Sequence, residues 1–257
     1  MKTIFDIGVG SGLDTYFYLN KGFKVVAVEA DPIQTNVLSS KFADQIQDNT
    51  LTLVNAVASD TVDQVVSFYK DKTFQPSSTA ISSYIKSSHT HDKVDGLTIN
   101  YNELINRYGV PYYCKIDIES SDLVFLKSIE SLQLPTYISA EANTIDIIEQ
   151  MHKLGYQKFK LINQYYGFTL QMHYEYYAKF DVDNKDFVCE GNPFTGKLPT
   201  WLNEHNLLEW SGLFGTELPG KWVSYAEIKQ MYTLIRQMTN KLPAHVMVGW
   251  FDCHATL

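Results

Sequence analysis

"IFDIGVGSGLDTYFYL", residues 4–19, carries the pattern that decides the fold. An apolar run closes on an acid, Asp6, and a turn with Gly8, Gly10 and Gly12 follows. Apolar and aromatic residues then recur at helical spacing as far as residue 21. Strand, tight turn and helix in that order are how many α/β proteins hold a nucleotide. The glycines do not say which one. They read G-x-G-x-G, not the G-x-G-x-x-G of dinucleotide sites.

The alternation continues downstream. FKVVAVEAD (23–31) reads as a buried strand, Pro32 opens a helix, and LTLVNAVAS (51–59) is a third strand. VVSFYK (65–70) reads as an edge hairpin strand, and the polar, Ser-rich 74–96 as a mobile loop or lid. A helix ending at Gly109 leads to a fourth strand, VPYYCKIDI (110–118), and TYISAE (136–141) is a fifth. Such alternation predicts right-handed crossovers and a doubly wound, mostly parallel sheet covered on both faces. From about 165 to 245 it stops, and a cap insertion is expected there. A last strand in HVMVGWFDCHATL (245–257) is expected, its VMVGWFD (246–252) pairing antiparallel with QKFKLIN (157–163) and closing a single domain over 1–257.

Composition narrows the class. Hydrophobic residues are 45% and charged ones 19% of 257, ordinary for a globular chain whose core needs no metal or disulfide staple. Cys114, Cys189 and Cys253 are widely spaced and form no metal motif, which reads as reduced thiols in a cytoplasmic protein. A net charge of -8 argues against nucleic acid as a partner. No apolar run is long enough to span a bilayer, and MKTIFDIG enters the first strand directly, so no signal peptide is expected.

In open α/β sheets ligands bind beyond the C-terminal ends of the strands. Asp6, Glu29, Asn55, Asp117 and Glu141 all stand at such ends. An acid at Asp6 facing the loop opposes a pyrophosphate, since like charges near 4 Å cost about 4 kcal/mol at an effective dielectric of ~20. S-adenosylmethionine has no phosphate; its sulfonium and ammonium attract acids. Asp6 therefore favours that ligand over NAD. Glu29 suits both ribose hydroxyls in either case. Capping of the following helices is the plain alternative for both acids, though caps do not require this spacing.

These residues resemble, in order, the FkbM family of S-adenosylmethionine-dependent methyltransferases. The matching stretches are DIGVGSGLDT (6–15), KVVAVEADP (24–32), LVNAVASD (53–60), YYCKIDIESSDLVFL (112–126) and YISAE (137–141), with KIDIE the most specific. SGLFGTELPGKW (211–222) and GWFDCHA (249–255) look like one branch of the family. The resemblance implies a class I methyltransferase, Rossmann-like fold and methylation of a hydroxyl oxygen on a sugar or another small metabolite. Two departures stand out. Ser120 occupies the place where the family has glycine after KIDIE, and, with MKTIFDIG entering the first strand, the leading helices that cover the cofactor in many methyltransferases are not expected.

Methyl transfer needs in-line alignment and a proton acceptor. Gly8, Gly10, Ser11 and Gly12 are expected under the methionine part of the cofactor, with Thr15 beside them. Ala30 and Asp31 should flank the ribose and adenine, and Asn55 and Ala56 should line the adenine. Asp117 and Glu119, two apart on the fourth strand, are expected on one face, with Asp117 nearest the methyl group and Glu141 converging on them. Such acids either share a proton, one acting as base, or hold a divalent cation. Base or substrate hydrogen bonding is preferred, and no metal site is predicted; capping for Glu119 and an ion pair with Lys115 are the plain alternatives. His254, beside Asp252, is a second base candidate, with a structural histidine as its alternative. Two other functions compete: a non-catalytic S-adenosylmethionine-binding module and an NAD oxidoreductase.

Overall fold

The computed structural model describes residues 1–71, 90–130, 132–163, 168–169, 212–218, 220–239 and 251–257. The opening stretch folds as β1 (Thr3–Ile7) and α1 (Leu13–Asn20), followed by β2 (Lys24–Glu29) and α2 (Pro32–Lys41). After the short α3 (Ala43–Gln47) come β3 (Leu51–Asn55), β4 (Val57–Ala58), β5 (Val65–Asp71) and β6 (His91–Ile99). Then follow α4 (Tyr101–Tyr108), β7 (Tyr113–Ile116), α5 (Asp122–Leu126), β8 (Tyr137–Glu141) and α6 (Ile145–Leu154). The described chain closes with β9 (Lys158–Asn163), β10 (Phe168–Thr169), α7 (Tyr225–Thr239) and β11 (Phe251–Thr256).

The main sheet runs β10-β9-β11-β8-β7-β1-β2-β3. Strands β3, β2, β1, β7 and β8 are parallel neighbours, whereas β11 lies antiparallel between β8 and β9. This is a doubly wound, Rossmann-like arrangement, with strand order reversing at β1. Antiparallel pairing with 158–163 is present, but over 251–256, further along than the expected 246–252; residues 245–250 lie outside the described ones. Within the span read as a polar loop, 91–96 instead form the start of β6, which pairs along the whole of β5. The exposed Asp92, Lys93 and Asp95 gave this strand a polar, loop-like composition; residues 72–89 lie outside the described ones.

Local signals explain the boundaries. Strand β2 is buried on both faces except at Lys24, which is why its sequence is a continuous apolar run. Asp31 caps α2 by accepting from the Ile33 amide, and Asn100 caps α4 by accepting from Glu103. Helix α4 buries Tyr101, Leu104 and Ile105, the i, i+3, i+4 stripe that faces the sheet.

Much of the span 165–245 lies outside the described residues. Its described parts pack on the body. Phe214 stacks on Tyr113 with ring centroids 4.2 Å apart, and an antiparallel bridge joins Val223 to Phe159. Helix α7 then rises along α6 and ends near the C-terminal edge of β8, where Tyr232 and Arg236 donate to the Ala142 carbonyl. Among the described residues no helix is long and apolar enough to cross a membrane.

The two faces of the sheet differ in kind. One carries Phe5, Ile7, Cys114, Ile116, Ile138, Ala140, Cys253 and Ala255 in an apolar core with α4 to α6. The other carries a cross-strand row in register, Asp6, Lys115, Ser139, His254 and Lys160, every member buried. One row higher, at the C-terminal end of the parallel strands and the start of β11, Asp252 pairs with Glu141. Because side chains alternate, KID in one strand sends Lys115 and Asp117 to the polar face and Ile116 to the apolar one.

Candidate active site

The glycine turn is fixed from below and leaves room above. A Cβ on Gly8 would stand 1.8 Å from the Asp117 carbonyl oxygen, so this backbone presses directly against the end of β7. Gly12 is similarly closed in, by Leu38 and Phe42. At Gly10 the left-handed φ of +54° also favours glycine, but nothing lies within 4 Å of a Cβ position. Over it opens a cavity of about 480 Å³, within the range of small-molecule sites, about 300–1,000 Å³.

Among the residues expected at the site, Gly8, Gly10, Ser11, Glu29, Ala30, Asp31, Ala56, Asp117 and Glu119 line this cavity. Glu29 clamps it: Oε2 accepts from the Gly10 amide at 3.1 Å and Oε1 from the Asp31 amide at 2.9 Å. Burial raises the Glu29 pKa, and these amide donors oppose the rise. Each oxygen retains acceptor capacity for a further hydroxyl. Asp31 splits its carboxylate between the Ile33 amide and the Lys70 ammonium, 2.6 Å away.

Six expected site residues are not on the cavity wall. Asp6 is 0% exposed and accepts from the Thr15 hydroxyl at 2.5 Å; both sit beneath the turn. Burial, reinforced by Asp14 and opposed by Lys115, pushes the Asp6 pKa up to about 7. Gly12 has turned into the start of α1. Asn55 is exposed and stitches β3 to the β2 end through the Glu29 and Ala30 carbonyls. Glu141 stands one strand further on, and His254 lies deep in the polar row with neither ring nitrogen partnered. Burial, then Lys160 and Lys115, lowers the His254 pKa to about 3, so the ring is a neutral interior group.

The shared strand face expected for Asp117 and Glu119 does not form. Strand β7 ends at Ile116, and Glu119 and Ser120 take left-handed φ values of +49° and +72° in the turn that follows. Both acids nevertheless border the cavity, because the turn brings Glu119 back to it.

One acid on the cavity wall is a residue that the sequence reading passed over. Asp14, in the first turn of α1, lines the cavity, pairs through Oδ2 with Lys115 at 2.6 Å, and keeps Oδ1 buried without a partner. Lys115 also donates to Asp117 at 2.9 Å. Burial pulls the lysine pKa down, but Asp117, Asp14 and Asp6 outweigh it and hold the pKa well above the usual value. Phe68 and Lys70 of β5 line the opposite wall. Their i, i+2 spacing in VVSFYK was the available signal, since it puts both on one strand face. Among the described residues no group of three or more His, Cys, Asp or Glu side chains is arranged to hold a metal ion.

Comparison with known proteins follows this geometry. The family model described as Methyltransferase FkbM domain matches residues 6–176. No curated protein matches the chain. Among solved structures, the precorrin-6y C5,15-methyltransferase of Geobacter metallireducens GS-15 is similar with a TM-score of 0.37 and 14% identity, covering 63% of this chain and 70% of that one.

Proposed function

Since the chain belongs to the methyltransferase FkbM domain family, we propose that it transfers a methyl group from S-adenosylmethionine to a hydroxyl oxygen of a sugar or related small metabolite. The observation that carries this reading is the Asp14 oxygen: a buried, unpartnered acceptor on the cavity wall beside the glycine turn. An orphaned carboxylate oxygen calls for a donor, and the ligand's α-ammonium supplies one. A pyrophosphate would instead sit at the start of α1, where Asp14 already places a negative charge. The two cations on the wall, Lys70 and Lys115, are already held by acids.

The residues fit the cofactor in three places. Gly10 leaves open space for the methionine part, Glu29 has lone pairs for the ribose hydroxyls, and Asp14 with Asp117 supplies negative charge. When bound, S-adenosylmethionine provides a methyl group on a sulfonium centre as the electrophile. Lys115 fixes one Asp117 oxygen, and that carboxylate, its side chain 47% exposed, orients the acceptor hydroxyl and takes its proton. The oxygen gains the methyl group and loses the proton to Asp117; the sulfur keeps the electron pair of the broken bond. Phe68 and Lys70 shield the nucleoside side.

Methyl transfer from labelled S-adenosylmethionine to a panel of hydroxylated acceptors tests the assignment. Label should appear in an ether linkage, and Asp117→Asn should lower kcat by about 10²–10⁴ while cofactor binding persists. Label on nitrogen or carbon, or undiminished turnover by Asp117→Asn, contradicts it. Cofactor binding without turnover on any acceptor would favour the non-catalytic reading.

A further inference from the structure

Beyond the cofactor cavity the same sheet face carries a second cluster. Asp117, just past the end of β7, Glu141, at the C-terminal end of β8, and Asp252, at the N-terminal end of the antiparallel β11, stand at one edge of neighbouring strands, Glu141 directly paired with Asp252. Like charges directly opposite one another destabilise a sheet, and here each repels the next. Burial and Asp117 raise the Asp252 pKa well above its usual value, and the same two effects, opposed by the Asn143 amide, raise that of Glu141. From α5, Asp122 backs the row. It is 2% exposed, neither oxygen accepts from another residue, and Asp117, Glu141 and Asp252 all act on it. On the same strand face as Asp252, His254 is 4% exposed with both nitrogens unpartnered.

Two described cations act on the row, Lys115 on Asp252 and Arg236 on Glu141, but both also have other partners. Lys115 holds Asp14 and Asp117; Arg236 donates to the Ala142 and Asn143 carbonyls; Lys160 donates to the Leu218 carbonyl, deeper in the row. Four carboxylates therefore meet with less positive charge than they need, and the buried one among them is unpartnered. A neutral sugar offers hydroxyl donors but no charge. The row spans two inter-strand spacings, about 10 Å, a spread that suits separated hydrogen-bond donors better than one ion with ligands at 2.0–2.6 Å.

We propose that the acceptor carries an ammonium group, held by Glu141 and Asp252, so that the substrate class is hydroxylated amines such as amino sugars. This rests on the methyl-transfer reading. The acids keep the amine protonated and without a lone pair, which directs the methyl group to the neighbouring hydroxyl held at Asp117. His254 lies below as a neutral polar floor.

Ligand-observed NMR on the protein loaded with S-adenosylhomocysteine tests it, using two matched pairs: glucosamine with glucose, and 2-aminoethanol with ethylene glycol. At least one amine should bind ten-fold or more tighter than its neutral twin. That preference should shrink on raising NaCl from about 50 to 300 mM, as an ionic contact does, and vanish in Glu141→Gln/Asp252→Asn. The double variant should keep S-adenosylhomocysteine affinity within three-fold, which separates a lost amine site from a lost fold. Equal binding of the twins, no amine binding, or an amine preference that survives in the double variant overturns the proposal. So does tight Mn²⁺ binding that the double variant abolishes, which would assign the row to a metal. Failure to bind S-adenosylhomocysteine in the first step would instead overturn the methyl-transfer reading.

Discussion

The two halves of the polar sheet face solve opposite problems. Around β1 and β2 most groups are answered within the chain: Glu29 by two amides, Asp31 by an amide and Lys70, Asp6 by Thr15, with one Asp14 oxygen left open. Around β7, β8 and β11 acids face acids, and Asp122 and His254 have no hydrogen-bond partner among the described residues. A satisfied polar network is rigid and ready-made, whereas an unsatisfied one stores a cost that a ligand can relieve. On the proposed reading, the first half holds one fixed cofactor and the second keeps its charge for the acceptor that arrives beside it.

The junction between the halves is the place to break the comparison. Gly8→Ala forces a Cβ into the Asp117 carbonyl at a φ of +89°, so the turn and β7 must separate. We expect a stability loss of at least ~3 kcal/mol in urea unfolding, with cofactor binding abolished, among the larger effects single substitutions produce. Next comes the buried histidine. With its native pKa near 3, His254 takes up a proton on unfolding below its ordinary value of 6.5. Its contribution to stability is therefore present above pH ~6.5 and is lost as pH falls toward 3, at up to about 1.4 kcal/mol per pH unit. His254→Leu should flatten the urea midpoint between pH 6 and 4. Asp6, raised to about 7, acts in the opposite sense: its native form keeps a proton that the unfolded chain releases, so stability falls as pH rises from about 4 to 7. In Asp6→Asn that decline should disappear from the same titration.

Glu29→Ala makes the satisfied half resemble the other. It strips the Gly10 and Asp31 amides of their acceptor, and charged hydrogen bonds are worth about 1.5–3 kcal/mol each. Calorimetry should show cofactor affinity falling at least ten-fold. Ser120→Gly is the smallest change and goes the other way. A φ of +72° strains serine but not glycine, so thermal unfolding should show a gain of up to about 1 kcal/mol.

The fold was legible because periodicity and strand-end acids are local properties. IFDI, KVVAVE, YCKI and YISAE each announce a strand, and the glycine turn announces a βα unit. The site was legible only in part. Asp6 was expected at the ligand and lies beneath the turn, while Asp14, eight residues on, lines the cavity. Sequence spacing places a residue on a strand end but does not say whether the following turn folds over it. Glu119 illustrates the same limit: two left-handed residues after Ile116 cancel the strand alternation that its spacing implied. Phe68 and Lys70 were missed for another reason. Their strand belongs to a separate three-stranded sheet, and only tertiary packing brings it over the cavity.

The central claim is that the glycine-turn cavity takes a sulfonium nucleoside and not a dinucleotide. Calorimetric titration with S-adenosylmethionine and with NADH, on the wild-type protein and Asp14→Asn, tests it most directly. Saturable one-to-one binding of S-adenosylmethionine, weakened at least ten-fold in Asp14→Asn, with no heat from NADH, is the predicted result. Binding of NADH, or no binding of S-adenosylmethionine by the wild-type protein, would contradict it.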